Sequence, residues 1–66
     1  MDKDTLKNAQ MTYITEKYGK HRANASEYDY TNNGESITSR ILDPNGNLIA
    51  YLTTWAENTT IKHHEY

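Results

Sequence analysis

The clearest pattern of apolar and polar positions lies in the second half of the chain. Two runs rich in Ile, Leu, Thr and aromatic residues, 36–42 and 48–55, flank the segment Asp43-Pro44-Asn45-Gly46. Asp at the first position of a type I turn, Pro at the second and a left-handed Gly at the fourth are typical of a bulged hairpin. The segment therefore predicts two antiparallel strands joined by a three-residue loop.

Pairing of Asp43 with Asn47 across this loop sets an expected register, in which Leu42 opposes Leu48 and Ile41 opposes Ile49. Successive side chains of a strand point to opposite faces, so this register makes both faces of the hairpin apolar. We expect one face to carry Thr38, Arg40, Leu42, Leu48, Ala50 and Leu52, and the other to carry Ile37, Ser39, Ile41, Ile49, Tyr51, Thr53 and Trp55.

Two weaker patterns predict strands on either side of this hairpin. Residues 27–31 alternate acidic side chains with Tyr28 and Tyr30, and the turn signal Asn32-Asn33-Gly34 follows them. Residues 59–64 contain enough Thr and Ile for a short last strand. Runs at this spacing suit an antiparallel meander.

The first third of the chain has two possible interpretations. Apolar positions at helical spacing over residues 5–18 and a stop signal at Gly19 favour a helix, whereas the cluster Thr12-Tyr13-Ile14-Thr15 favours a strand. We expect the helix, followed by an irregular polar connection over residues 20–26. The resulting fold class is α+β: one domain, 1–66, with an N-terminal helix packed on a three- to four-stranded antiparallel β-meander.

Composition indicates a folded domain with a thin core. The 66 residues include nine Leu and Ile but no Val, Phe or Cys, and the net charge is only −2. A core this small needs further stabilisation from another chain, and one helix can cover only one of two apolar sheet faces. We therefore expect association, most simply a symmetric homodimer.

The sequence also limits the location and the chemistry of the protein. There is no apolar run of 18 residues, and the first residues lack a signal-peptide pattern, which predicts a cytoplasmic protein without membrane contact. The segment His63-His64-Glu65 suggests a metal site, but neighbouring residues of a strand point to opposite faces. We expect no metal, no cofactor and no enzymatic activity, since no nucleophile or phosphate-binding motif is present.

Six Tyr and one Trp are the unusual feature that remains. We expect Tyr13 and Tyr51 to replace Phe in the core. Large amphipathic rings are common in recognition surfaces, which favours a non-catalytic protein-binding module. Its brevity suggests an inhibitor of a host protein, carried by a phage or mobile element. The interface candidates are Tyr28, Tyr30, Ile37, Ile41, Ile49 and Trp55.

A basic patch at the end of the predicted helix supports an alternative function. Lys17, Tyr18, Lys20 and Arg22 combine cations with a ring, as in a small regulator that binds nucleic acid. Cations at a helix C-terminus also interact favourably with the helix dipole, which explains the two lysines without a ligand. Protein binding is therefore the leading hypothesis.

Overall fold

The fold consists of two helices followed by a four-stranded antiparallel sheet. The computed structural model describes residues 3–57 and 60–66. Strands adjacent in the sequence are adjacent in the sheet, in the order β1-β2-β3-β4. The elements are α1 (Lys3–Tyr18), α2 (Lys20–Ala25), β1 (Glu27–Thr31), a 3-10 turn (Asn32–Gly34), β2 (Ser36–Leu42), β3 (Leu48–Trp55) and β4 (Ile61–Glu65). This confirms the α+β class with a helix on a meander; residue 59, in the predicted last strand, lies outside the described residues.

Helix α1 forms because every fourth residue along one side is buried. Leu6, Gln10 and Ile14 face the sheet at this spacing, which no strand could provide. The helix ends at Gly19, whose φ of 95° suits a residue without Cβ and whose N–H donates to the carbonyl of Thr15 at 3.0 Å. The helical interpretation of residues 5–18 is confirmed.

Helix α2 was not expected, and the prediction of an irregular connection over residues 20–26 is wrong. Lys, Arg and Ala are good helix formers, but six residues with one small buried side chain, Ala23, show no apolar periodicity. Contacts distant in sequence hold α2 in place: Arg22 Nη1 donates to the carbonyl of Leu42 at 2.6 Å.

The hairpin turn between β2 and β3 forms as predicted. The N–H of Asp43 donates to the carbonyl of Asn47 at 2.8 Å, and the N–H of Gly46 donates to the carbonyl of Asp43 at 2.9 Å. Gly46 has a φ of 85°. The Asp43 carboxylate accepts the backbone N–H groups of Asn47 and Asn45, each at 2.9 Å, and the bond from Asn47 is the main cause of its lowered pKa.

Beyond Leu42 the predicted register is wrong. Leu42 pairs with Leu48, but Ile41 pairs with Ala50, because a β-bulge leaves Ile49 as an extra residue on β3. This shift of one residue exchanges the two faces of β3 relative to β2, so that Ile37 and Ile41 share a face with Leu52. The bulge thus gathers Ile37, Ile41, Ala50 and Leu52 on one side, where a single pair of helices can cover them.

The core between helices and sheet is small and includes a polar network. Gln10 Nε2 donates to the carbonyl of Ile37 and to Thr54 Oγ1, both at 3.0 Å, and Gln10 Oε1 accepts the hydroxyl of Ser39. All three side chains are buried, and their hydrogen bonds satisfy them. The buried apolar residues are Leu6, Ile14, Ala23, Ile37, Ile41, Ala50 and Leu52.

The other side of the sheet is the open face. Both helices lie against the first side, and within residues 3–57 and 60–66 no helix lies on the second. Apart from Leu42 and Leu48 at one end, this face is polar and aromatic, so the predicted composition of the two faces is wrong. The strands and the chain end contribute Glu27, Asp29, Thr38, Arg40, Tyr51, Thr53, Trp55, Lys62, His64 and Tyr66 to it.

Candidate functional site

An aromatic cluster stands at one end of the open face. The rings of Tyr51 and His64 stack at a centroid distance of 5.2 Å and an angle of 29°, because the register of β3 and β4 sets the two residues opposite each other. Tyr66 contacts His64 edge-on at 4.8 Å, and its N–H donates to the carbonyl of Ile49 at 3.0 Å. Tyr66 is nevertheless 72% exposed. The three rings form an ordered surface in contact with solvent.

Beside this cluster, charges are arranged across the strands. Arg40 Nε donates to Glu27 at 2.9 Å, and its Nη2 contacts the Asp29 carboxylate. These two bonds raise the pKa of Arg40. Exposed ion pairs add little stability, but here they order the acidic edge of the open face on β1. The opposite edge, on β4, carries Lys62 and His64.

The sheet register arranges these side chains in two rows that cross all four strands. Each row runs from an acidic residue on β1 to a basic or imidazole residue on β4. The first row is Glu27, Arg40, Tyr51, His64, and the second is Asp29, Thr38, Thr53, Lys62.

Trp55 and Leu48 add exposed apolar surface at opposite ends of β3. Trp55 is 36% exposed and, with Glu35, Ala56 and Glu57, lines a pocket. Leu48 is 40% exposed beside the hairpin turn. Of the six interface candidates chosen from the sequence, only Trp55 lies on the open face.

Tyr28 and Tyr30 lie on the helix side of β1. The hydroxyl of Tyr28 donates to the carbonyl of Ala23 at 2.6 Å, and burial raises the pKa of this phenol. The hydroxyl of Tyr30 donates to the carbonyl of Lys3 at 2.9 Å. The ammonium of Lys7 lies 5.3 Å from the centre of the Tyr28 ring. Both rings therefore hold β1 against the helices.

The three isoleucine candidates belong to the core side. Ile37 and Ile41 are completely buried, and Ile49 is half-buried against the core. Tyr51, expected in the core, lies on the open face because the bulge shifts β3 by one residue. Tyr13 does pack against the core, half-buried at its border.

Two side chains of the basic patch already form hydrogen bonds with other residues of the chain. Tyr18 donates its hydroxyl proton to Glu65 and contacts His63 Nε2 at 2.7 Å, while Arg22 bonds to Leu42. Burial and the bond to Glu65 raise the pKa of Tyr18, and the same bond lowers the pKa of Glu65. Lys17 and Lys20 remain exposed at the end of α1 and the start of α2.

His63 lies at the centre of a hydrogen-bond chain between α1 and β4. Its Nδ1 is 3.3 Å from the hydroxyl of Tyr13, and its Nε2 contacts Tyr18. Since Tyr18 donates to Glu65, its oxygen accepts a hydrogen bond from His63 Nε2. Contacts at both ring nitrogens fix the orientation of the imidazole, and these hydrogen bonds connect β4 to α1.

Other features of the described chain do not define a second site. His63 and His64 point to opposite faces of β4, as strand alternation predicts. No group of three or more potential metal ligands occurs within residues 3–57 and 60–66. In the same residues, no helix has the length and apolar character needed to cross a membrane.

Comparison of the chain with models of known protein families, with curated proteins and with solved structures finds no match.

Arg40, Tyr51, His64 and Tyr66 are not among the interface candidates chosen from the sequence. A usable signal was present at the end of the chain: Lys62, His64 and Tyr66 alternate on one side of β4, and none of them is aliphatic. A strand side without aliphatic residues is typical of a solvent-exposed surface rather than of a core.

Proposed function

We propose that this chain is a non-catalytic protein-binding module and that the open face is its recognition surface. The observation that carries the proposal is the ordered aromatic cluster of Tyr51, His64 and Tyr66, exposed on a sheet face that no described helix covers. Tyr and Trp are enriched at the centres of protein interfaces. Rings that already pack against each other lose little conformational freedom on binding, which favours affinity.

The charges of this surface favour a protein partner. Arg40 and Lys62 balance Glu27 and Asp29, so the open face has no net positive charge to attract a phosphate backbone. Protein interfaces, in contrast, commonly combine rings and Arg with a polar rim of both signs. We keep inhibition of a host protein, a phage or mobile-element origin and a cytoplasmic location as parts of the proposal.

Binding of nucleic acid through the basic patch is the second candidate function. Lys17 and Lys20 are exposed and close in sequence, which supports it. The Tyr18 hydroxyl and the Arg22 guanidinium, however, already bond within the chain. Two lysines give weak phosphate binding, so this function ranks below protein binding.

The test is capture from a nuclease-treated lysate of the source organism by the immobilised full chain and its variants. Tyr51→Ala truncates the centre of the aromatic cluster; such a ring contributes about 2 kcal/mol at an interface, or roughly 30-fold in affinity. The matched control is Lys17→Ala combined with Lys20→Ala. We expect the wild type and the control to retain the same protein, and Tyr51→Ala to lose it while its circular dichroism stays unchanged.

The opposite pattern would contradict the proposal. Capture from a parallel untreated lysate that survives Tyr51→Ala, but disappears after nuclease treatment or in the double lysine variant, would favour the nucleic-acid function. Salt separates the two further: phosphate contacts weaken steeply between about 0.15 M and about 0.5 M salt, whereas contacts through rings change little.

A further inference from the structure

The charges of the open face are distributed unevenly between its two edges. On β1, the carboxylates of Glu27 and Asp29 are 57% and 56% exposed and share a single Arg40. On β4, Lys62 and His64 stand on the same face, with no acidic residue of that strand beside them there. One edge is therefore acidic and the other is cationic, with the rings of β3 between them.

Such a surface is complementary to itself under one particular symmetry. Two sheets that pack face to face around a two-fold axis have two simple arrangements. An axis perpendicular to the strands sets β1 over β1 of the second copy and brings Asp29 close to Asp29. An axis parallel to the strands sets β1 over β4 instead, and the acidic edge meets the cationic edge. Electrostatic repulsion disfavours the first arrangement.

Resting on the proposed protein-binding role of the open face, we infer that its occupant is a second copy of this chain, related by a two-fold axis parallel to the strands. Each row of side chains then lies opposite the same row of the second copy, in the reverse order. Asp29 faces Lys62 of the second copy, and Glu27 faces its His64. Arg40 faces the ring of Tyr51, where a guanidinium interacts favourably with a π-system. Each of these contacts occurs twice.

The size of the surface sets the strength of this dimer. Four strands about 4.8 Å apart, with five residues of about 3.3 Å each, span roughly 300 Å² in projection. Since side chains roughen both surfaces, the total buried area is on the order of 1,000 Å², at the lower limit for a specific interface. The pair should therefore dissociate on dilution, with a dissociation constant in the micromolar range or above.

Sedimentation velocity of the full chain over a dilution series tests the dimer and its symmetry together. We expect Lys62→Glu to weaken association by about tenfold or more, because it sets a second carboxylate against Asp29. Lys20→Glu on α2 makes the same charge change away from the open face and should leave association within about twofold of wild type. Combining Asp29→Lys with Lys62→Glu restores opposite charges and the wild-type net charge, so association should recover.

Three results would overturn the inference. They are a monomer at millimolar concentration, equal effects of Lys62→Glu and Lys20→Glu, and a combined variant no better than Lys62→Glu. If the chain stays monomeric but still captures a protein in a Tyr51-dependent manner, the second copy is excluded and the proposed function stands. If the dimer forms as expected and no other protein is captured, the open face is an assembly surface alone and the wider proposed function fails.

Discussion

The buried amide of Gln10 offers the sharpest test of how α1 is fixed on the sheet. Gln10→Leu keeps a side chain of similar size and helix propensity but removes every hydrogen bond that the amide makes. The hydroxyl of Ser39 then loses its acceptor, the hydroxyl of Thr54 loses its donor, and the carbonyl of Ile37 loses its bond to the amide. Both hydroxyls stay buried under the leucine.

The expected loss of stability follows from these orphaned groups. A buried polar group without a partner costs about 1–3 kcal/mol, so two hydroxyls cost about 2–4 kcal/mol after partial relaxation. A domain of this size has a total stability of roughly 3–10 kcal/mol. Gln10→Leu should therefore remove a large part of the free energy of unfolding.

Urea denaturation followed by circular dichroism measures this loss. The control removes the orphaned groups as well: Gln10→Leu combined with Ser39→Ala and Thr54→Val leaves an apolar contact, and its stability should recover by at least about half of the loss. A loss below about 0.5 kcal/mol for Gln10→Leu alone, or no recovery in the triple variant, would refute the account of the helix–sheet contact.

Three other predictions concern the hairpin, acid stability and metal binding. Gly46→Ala should cost about 1 kcal/mol in urea denaturation, because a Cβ is disfavoured at positive φ; an unchanged midpoint would contradict the turn assignment. The pKa values of Asp43 and Glu65 are lowered in the folded state, so the stability they contribute is present above their ordinary values of 3.8 and 4.5 and is lost as the pH falls below about 4. Thermal melts should show this decline, and Asp43→Asn should reduce it; a decline of the same size in that variant would contradict the role of the carboxylate. Zinc or a chelator should leave the melting temperature unchanged because His63 and His64 lie on opposite faces of β4, and a rise of several degrees with stoichiometric zinc would contradict this.

Local signals in the sequence were sufficient for the order of elements and for the hairpin turn. Asp43, Pro44 and Gly46 each have a backbone preference that needs no distant contact, and the structure forms the turn they predict. The strands and the main helix likewise follow from periodicity. Helix α2 could not be predicted in this way, since its position depends on the contact of Arg22 with Leu42, twenty residues away.

The faces of the sheet could not be predicted because one extra residue decides them. The bulge at Ile49 is favoured by tertiary packing, which brings Ala50 and Leu52 of β3 to the same side as Ile37 and Ile41 under the helices, and no local turn signal marks it. The predicted register put Tyr51 on the same face as Ile37 and Ile41; the bulge separates them, so the two isoleucines lie in the core and Tyr51 lies on the open face. Trp55 was placed on the surface correctly, but the aromatic cluster around His64 depends on cross-strand pairing that only the register defines.

Ring-proton spectra of the full chain over a concentration series test most directly whether the open face binds protein, beginning with a second copy. The chain has one Trp and six Tyr, and these rings lie on both sides of the sheet. Between about 20 µM and about 1 mM, mass action should shift the signals of Trp55, Tyr51 and Tyr66 and leave Tyr13 and Tyr28 unchanged. Shifts confined to Tyr13 and Tyr28 would contradict the assignment of the open face, and the absence of a shift at every ring would exclude a second copy as its occupant.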